Sequence, residues 1–160
     1  MSDANAHVSR RRFCAGACQV ASGATLATLF TGCGGDSPTS PSGGGGNVTS
    51  LGTVSGRFTT GRVDVTVAGT ALASDGGAAL VESVAGVYLL SRTSANSFTA
   101  IEAVCTHEGC TVSNADGDQY VCPCHGSRYS RSGQVLRGPA MASLRRYTTS
   151  FTDGVVTIAI

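Results

Sequence analysis

From Arg62 to the C-terminus, apolar and polar residues follow one another in short runs with the period of β-strands. Arg62–Val67 (RVDVTV) alternates strictly, as a half-buried strand does. Val87–Ser91 (VYLLS) and Phe98–Val104 (FTAIEAV) are rich in β-branched and aromatic residues. Four further strands are predicted at Gln119–Val121, Gln134–Leu136, Leu144–Phe151 and Val155–Ile160. No helical stripe is seen after residue 33, so the pattern predicts an all-β fold, an antiparallel sandwich or small barrel.

The first 33 residues have a different pattern, which indicates an export signal. Ser9–Phe13 (SRRRF) precedes a weakly apolar run without charges that ends at Cys33. This segment resembles a twin-arginine signal, the export route of proteins that fold before they cross the membrane. Leu29–Cys33 (LFTGC) resembles a lipobox, which predicts lipidation of Cys33. An uncleaved membrane helix and simple secretion are the alternatives, and all three predict an extracytoplasmic globular part, membrane-anchored in the first two cases.

The chain divides into three parts by composition. Residues 1–33 are the predicted signal or anchor, and residues 34–47 (GGDSPTSPSGGGGN) read as a flexible linker of Gly, Ser and Pro. Residues 48–160 form the predicted globular domain, with two cluster-binding loops as described below. A tether of this kind would hold the domain near a membrane and leave it free to reorient.

Charge and motif content exclude several classes of function. The 160 residues carry a formal net charge of +1, and the part after residue 33 has eight Arg, nine acidic residues and no Lys. A nearly neutral domain is not suited to bind the phosphate backbone of a nucleic acid. The sequence contains no catalytic triad, phosphate-binding glycine loop or second cofactor motif, so no independent catalytic site is predicted and enzyme activity stays open.

Cysteine and histidine are concentrated in two short segments of the domain. These are CTHEGC, with Cys105, His107 and Cys110, and CPCHGS, with Cys122, Cys124 and His125. If the backbone is extended there, residues two apart point to the same side, and two facing segments could enclose a metal. A Cys2His2 zinc site, an all-cysteine iron–sulfur cluster and two ordinary disulfides are the alternatives, although the last two leave the histidines without a role.

The paired motifs C-T-H-x-G-C and C-P-C-H-G-S resemble those of the Rieske family, as does Gly138-Pro139-Ala140 further along the chain. The resemblance implies one [2Fe-2S] cluster, with Cys105 and Cys122 on one iron and His107 and His125 on the other. It also implies a disulfide between Cys110 and Cys124, which is found in the high-potential branch of the family. Two neutral imidazoles in place of thiolates make it easier for such a cluster to accept an electron.

Two hydroxyls after the second motif extend the resemblance. In high-potential members, the residue equivalent to Ser127 donates to a cluster sulfide, and the residue equivalent to Tyr129 donates to the sulfur of Cys105. Such donors stabilise the reduced state. We therefore expect a potential in the upper half of the Rieske range of roughly −150 to +300 mV.

The resemblance leaves the partner open. One interpretation is a tethered electron carrier or small oxidoreductase subunit that serves a redox protein such as cytochrome c. Another is the Rieske subunit of a cytochrome bc-type complex, which meets quinol at cytochrome b, and a third is a redox sensor. Glu108 stands where quinol-oxidising subunits commonly carry Leu, and Met141 departs from the family's G-P-A-P, so the sequence favours the carrier.

Overall fold

The structure, a computed structural model, describes residues 47–160. The predicted signal, the lipidation of Cys33 and all but the last residue of the predicted linker lie outside the described residues. The strands, in chain order, are β1 (Thr49–Ser50), β2 (Thr53–Ser55), β3 (Arg57–Thr59), β4 (Arg62–Thr66), β5 (Ala78–Ser83), β6 (Gly86–Ser94), β7 (Ser97–Glu102), β8 (Asn114–Asp116), β9 (Gln119–Val121), β10 (Arg128–Ser130), β11 (Val135–Arg137), β12 (Arg146–Thr152) and β13 (Val155–Ala159).

These strands form two sheets, and the all-β prediction is confirmed. The larger sheet has the order β2-β5-β6-β7-β12-β13-β4-β3, and the smaller has the order β1-β8-β9-β10-β11. All strand pairs are antiparallel except β2 with β5. Between residues 47 and 160, one 3-10 helix, Ala71–Ala73, interrupts the strands. Within residues 47–160, no helix is long and apolar enough to cross a membrane.

A single chain segment closes the larger sheet into a nearly complete barrel. The two outermost strands, β2 and β3, are separated only by Gly56. The N–H of Gly56 donates to the carbonyl of Glu82 at 2.8 Å. A Cβ at Gly56 would lie 2.4 Å from Cγ1 of Val63 and 2.9 Å from Cγ1 of Val81. Glycine is therefore needed where the chain crosses the core from one edge to the other.

Two hydrophobic cores lie on opposite faces of β5, β6 and β7. Ala79, Val81, Leu90 and Ala100 belong to the first core, inside the barrel. The residues at the alternate positions of these strands, Ala78, Leu80, Leu89 and Ile101, belong to the second core. The second core also contains residues of the smaller sheet. Because both faces are covered, these strands contain nearly continuous runs of buried residues.

The smaller sheet brings three loops to one end. Loop 1 (Cys105–Cys110) comes before β8, and loop 2 (Cys122–Ser127) joins β9 to β10. Since β8 and β9 form an antiparallel hairpin, the start of β8 and the end of β9 lie at the same end. The third loop, Gly138–Ala142, follows β11 and is called the Pro139 loop below. The second core continues into this region, where it includes Cys105, Cys122, Tyr129 and Ala140.

Candidate metal centre

Loops 1 and 2 have the same backbone hydrogen bonds. In loop 1, the N–H of Cys105 donates to the carbonyl of Cys110, and the carbonyl of Cys105 accepts from Gly109, both at 2.8 Å. In loop 2, the N–H of Cys122 donates to the carbonyl of Ser127 at 2.8 Å, and its carbonyl accepts from Gly126 at 3.0 Å. Each loop is thus closed on its first cysteine, so the two cysteines occupy equivalent backbone positions in their loops.

A glycine in the left-handed region makes each closure possible. Gly109 has a φ of 75° and Gly126 a φ of 73°, and a Cβ on either would meet no atom within 4 Å. The requirement for glycine is therefore conformational rather than steric. The segments Thr106–Glu108 and Pro123–His125 are turns. The expectation of extended backbone in these motifs was wrong, because the loops fold back to satisfy the amides at their ends.

The four loop cysteines divide into a bonded pair and a free pair. Cys110 and Cys124 form a disulfide that links loop 1 to loop 2, which confirms the implied pairing. Cys105 and Cys122 are free, and only 3% and 1% of their surfaces are exposed. The two thiols are hydrogen-bonded to each other. They also accept backbone N–H groups from their own loops, Cys105 from His107 and Cys122 from Cys124 and His125.

The two histidines meet on the outer side of the loops. Their rings contact edge to face, with centroids 4.9 Å apart. The side chain of His107 is 30% exposed and that of His125 is 47% exposed. The carboxylate of Glu108 lies 3.9 Å from Nε2 of His107 and 3.8 Å from Nδ1 of His125. The loops therefore present thiols toward the core and imidazoles toward solvent.

Two buried hydroxyls face the inner side of this centre. The hydroxyl oxygen of Tyr129 lies 3.3 Å from Sγ of Cys105, and both residues are buried. Ser127 is fully buried, and its Oγ accepts the N–H of Ala140 at 3.0 Å. Because that contact uses a lone pair, the Ser127 hydroxyl keeps its proton to donate.

The surroundings favour the thiolate at one cysteine. Burial raises the pKa of the Cys105 thiol. Hydrogen bonds outweigh this effect and leave the pKa below its ordinary value; the largest is from Tyr129, and the others are from His107, Cys122 and Ser127. At Cys122, burial and the neighbouring Cys105 raise the pKa of the thiol. A metal that binds both sulfurs would displace the remaining proton.

The donor set agrees with the chemistry of a mixed-ligand iron–sulfur cluster. Two unbonded buried thiols lie among hydrogen-bond donors, and two exposed imidazoles lie at their outer edge. Soft thiolates and borderline imidazoles both bind iron. The disulfide removes the other two loop cysteines from the donor set. The residues present thus fit two sulfur and two nitrogen ligands.

Comparison with known families agrees with this donor set. The profile described as the Rieske [2Fe-2S] domain matches residues 62–148, which is more than half of the chain. The chain belongs to the Rieske family. Its cofactor is a Rieske [2Fe-2S] cluster, and its general role is one-electron transfer.

Curated Rieske proteins are similar to part of the chain. The cytochrome b6-f complex iron–sulfur subunit of Chlorobaculum tepidum is 38% identical over 65 residues, or 40% of this chain and 36% of the relative. The corresponding cyanelle subunit 1 of Cyanophora paradoxa is 52% identical over 58 residues, or 35% of this chain and 24% of the relative. The chain thus matches only about a quarter to a third of these relatives' length.

A solved structure supports the fold. It is a chain from the complex of reduced oxygenase and oxidized ferredoxin in carbazole 1,9a-dioxygenase, with a TM-score of 0.52 and 25% sequence identity. The match covers 63% of this chain and 94% of that chain.

Sequence reasoning missed the hydrogen bonds that tie the Pro139 loop to the centre, and with them the part played by Thr106. Thr106 Oγ1 donates to the carbonyl of Ala142 at 2.6 Å, and Ala140 donates to Ser127. The sequence reasoning also assigned no role to Gly109. The shared spacing C-x-x-x-G, in Cys105 to Gly109 and Cys122 to Gly126, was a signal that could have revealed both loop closures.

Proposed function

We propose that this protein is a high-potential Rieske electron carrier, tethered to a membrane on its extracytoplasmic side, which delivers single electrons to a redox protein. The observation that carries the proposal is the arrangement of two buried thiols beneath two exposed imidazoles. In this proposal Cys105 and Cys122 bind one iron, and His107 and His125 bind the other. When bound, the cluster supplies a one-electron redox couple.

The buried hydroxyls support a high potential. The Tyr129 hydroxyl lies within hydrogen-bond distance of Cys105 Sγ, and the Ser127 hydroxyl faces the same region. Donors to sulfur spread its negative charge, and this favours the form that holds the extra electron. The Cys110–Cys124 disulfide, which is typical of the high-potential branch, supports the same assignment.

Tethering is supported by the sequence of residues 1–47. The proposed order is a twin-arginine signal, lipidation at Cys33 and a flexible linker before the domain. Export after folding suits a protein that acquires its cluster in the cytoplasm. The mass of the intact mature protein tests this: an N-terminal Cys33 carrying acyl chains is expected, and a chain that retains residues 1–32 would contradict it.

Two exposed side chains, one in loop 1 and one in the Pro139 loop, support a protein partner rather than a quinol. Glu108 is the one Asp or Glu in loops 1 and 2 and the Pro139 loop; its side chain is 61% exposed and lies beside both histidines. Met141 is 96% exposed. A carboxylate at the contact surface is costly to bury in an apolar quinol pocket without a partner. An exposed, flexible Met instead suits an adaptable protein contact.

The relatives favour a second candidate, the iron–sulfur subunit of a cytochrome bc-type complex. Both curated relatives described above are subunits of cytochrome b6-f complexes. In that role the outer nitrogen of His107 or His125 would accept a hydrogen bond and then a proton from quinol. The solvent-exposed position of both rings is compatible with this candidate.

Separate half-reactions distinguish the two candidates. The cluster-loaded protein is mixed with decylubiquinol in one experiment, and the reduced protein is mixed with cytochrome c in the other. A carrier is expected to reduce cytochrome c rapidly and to react slowly with the quinol. Fast reduction by quinol would favour the complex subunit. Absence of the electron paramagnetic resonance signal of a reduced Rieske cluster would overturn both.

Alanine variants test the proposed ligands. Replacement of Cys105, His107, Cys122 or His125 is expected to abolish the Rieske signal. The matched control replaces Cys110 and Cys124 together, which removes two sulfurs but no proposed ligand. Full iron and sulfide content in any of the four single variants would contradict the ligand set.

A further inference from the structure

Thr106 joins the Pro139 loop to Tyr129 through its side-chain hydroxyl. Its Oγ1 lies 2.6 Å from the carbonyl oxygen of Ala142 and 3.2 Å from the hydroxyl oxygen of Tyr129. A carbonyl oxygen can only accept, so the single Thr106 proton is donated to Ala142. Thr106 therefore presents a lone pair to Tyr129.

Tyr129 in turn has one proton and two acceptors for it. The hydroxyl oxygen of Tyr129 accepts the backbone N–H of Thr106 at 3.3 Å. Its proton lies between Thr106 Oγ1 at 3.2 Å and Cys105 Sγ at 3.3 Å. The two acceptors compete, because a hydroxyl proton that points at one of them is withdrawn from the other.

We propose that Thr106 is a positioning residue that divides the Tyr129 proton between its own hydroxyl and the sulfur of Cys105, and so sets the electron affinity of the protein according to the position of the Pro139 loop. While Ala142 holds the Thr106 proton, part of the Tyr129 donation is lost to Thr106. If the loop moves away, Thr106 can donate to Tyr129, and the Tyr129 proton becomes fully available to sulfur.

The Pro139 loop is placed to transmit contact with a partner. Met141 is 96% exposed and lies between two anchored residues. Ala140, on one side, donates its N–H to Ser127 of loop 2, and Ala142, on the other, accepts from Thr106 of loop 1. A protein that presses on Met141 would therefore act on the hydrogen bonds of both loops. This inference rests on the proposed role of Cys105 as a cluster ligand.

The test is the midpoint potential of the cluster-loaded protein, measured by protein-film voltammetry. In Thr106→Val the competing acceptor is lost at nearly constant side-chain volume, so the potential is expected to rise. At most, the equilibrium constant for reduction is expected to rise about tenfold, which corresponds to about 59 mV for one electron. Thr106→Ser keeps the hydroxyl and is expected to stay near the parent value. If Thr106→Val fails to retain iron, Thr106→Ala provides the same test with a smaller side chain.

A double-mutant cycle identifies the route. In a Tyr129→Phe background the Thr106→Val substitution is expected to have no effect, because no proton remains to be divided. Thr149→Val is the matched control, since Thr149 also donates its hydroxyl to a distant carbonyl, that of Phe98 at 2.7 Å, but in the larger sheet. It is expected to leave the potential unchanged.

The outcomes separate this inference from the proposed ligand set. If Thr106→Val leaves the potential unchanged or lowers it, or acts equally without Tyr129, the proton-sharing role is wrong. If Tyr129→Phe also has no effect on the potential, the proposed contact between the Tyr129 hydroxyl and a cluster ligand fails with it.

Discussion

The hydroxyl oxygen of Tyr129 and Sγ of Cys105 lie 3.3 Å apart in a buried region at the base of loop 1. Burial raises the pKa of the Tyr129 hydroxyl, and its contact with Cys105 raises it further. The phenol therefore keeps its proton and can donate it to sulfur over the physiological pH range.

Replacement of Tyr129 by Phe is expected to lower the midpoint potential. The hydrogen-bond donor to Cys105 is lost while the ring that fills the core remains. The equilibrium constant for reduction is therefore expected to fall about tenfold, which lowers the potential by about 59 mV for one electron. Voltammetry of the cluster-loaded variant measures the shift. Tyr88→Phe, which removes a hydroxyl that donates to the carbonyl of Ala85, is the control and should not shift the potential.

Removal of the disulfide is expected to destabilise the fold without removal of a cluster ligand. Cys110 and Cys124 are 14 residues apart, and a crosslink of this span contributes about 3 kcal/mol in the chain-entropy description. Urea unfolding of the double Ala variant, compared with the oxidised parent protein, gives the difference. An unchanged unfolding free energy would show that the loops are held together by other contacts.

A side chain at either loop glycine is expected to destabilise the fold. Gly109→Ala and Gly126→Ala should each cost about 1–2 kcal/mol, because L residues are strained at positive φ. Gly52→Ala is the matched control: no atom lies within 4 Å of a Cβ there, and its φ is not in the left-handed region. Equal unfolding free energies for all three variants would refute the conformational argument.

Stability is expected to fall at alkaline pH because of two tyrosines in the larger sheet. Burial raises the pKa of Tyr88 and of Tyr147, and the nearby Glu102 raises both further; Tyr147 also raises that of Tyr88. The rings of Tyr88 and Tyr147 contact edge to face, with their centroids 5.1 Å apart. A group whose pKa is raised on folding stabilises the fold below its unfolded pKa, about 10 for Tyr, and loses this contribution as pH rises through the folded value.

Thermal unfolding of Tyr88→Phe and Tyr147→Phe between neutral and strongly alkaline pH tests this dependence. Each variant should lose less stability than the parent protein above the ordinary tyrosine pKa, since it has one fewer phenol with a raised pKa to ionise. If the variants and the parent decline in parallel, other groups cause the alkaline loss.

Glu108 is expected to control the choice of partner. Glu108→Leu removes the carboxylate beside His107 and His125, and it should accelerate reduction by decylubiquinol several-fold because an apolar docking surface no longer meets a charge. Glu108→Gln separates charge from polarity. Stopped-flow experiments measure the rate at which decylubiquinol reduces each variant. Unchanged rates would show that Glu108 has no part in the choice of partner.

The sequence predicted much of the fold because strands with one solvent-facing side carry a visible alternation. Predicted and observed strands coincide at Gln119–Val121 and agree within a few residues at β4 and β13. β5 was missed because its residues are covered on both faces, so Ala78–Val81 reads as an apolar run without a period. β8 and β10 were missed because two of the three residues in each are polar or charged, and their pairing within the smaller sheet defines them.

The candidate site was predictable in its residue types but not in its shape. The resemblance of the two motifs to the Rieske family predicted that their cysteines and histidines lie together, whereas the turn conformation depends on the amide hydrogen bonds of Gly109 and Gly126. The contact of Thr106 with Ala142 spans 36 residues, and no local pattern indicates it. Such contacts depend on tertiary packing.

The crossing at Gly56 also leaves the larger sheet with two outer strands of only three residues each. Unpaired strand edges are templates for aggregation, but β2 and β3 at the two edges of the larger sheet are parts of one continuous segment. The free edges of the smaller sheet, β1 and β11, have only two and three residues. A larger side chain at Gly56 would push that segment away from Val63 and Val81 and leave β4 and β5, strands of five and six residues, as the new edges, so we expect such a variant to aggregate more readily.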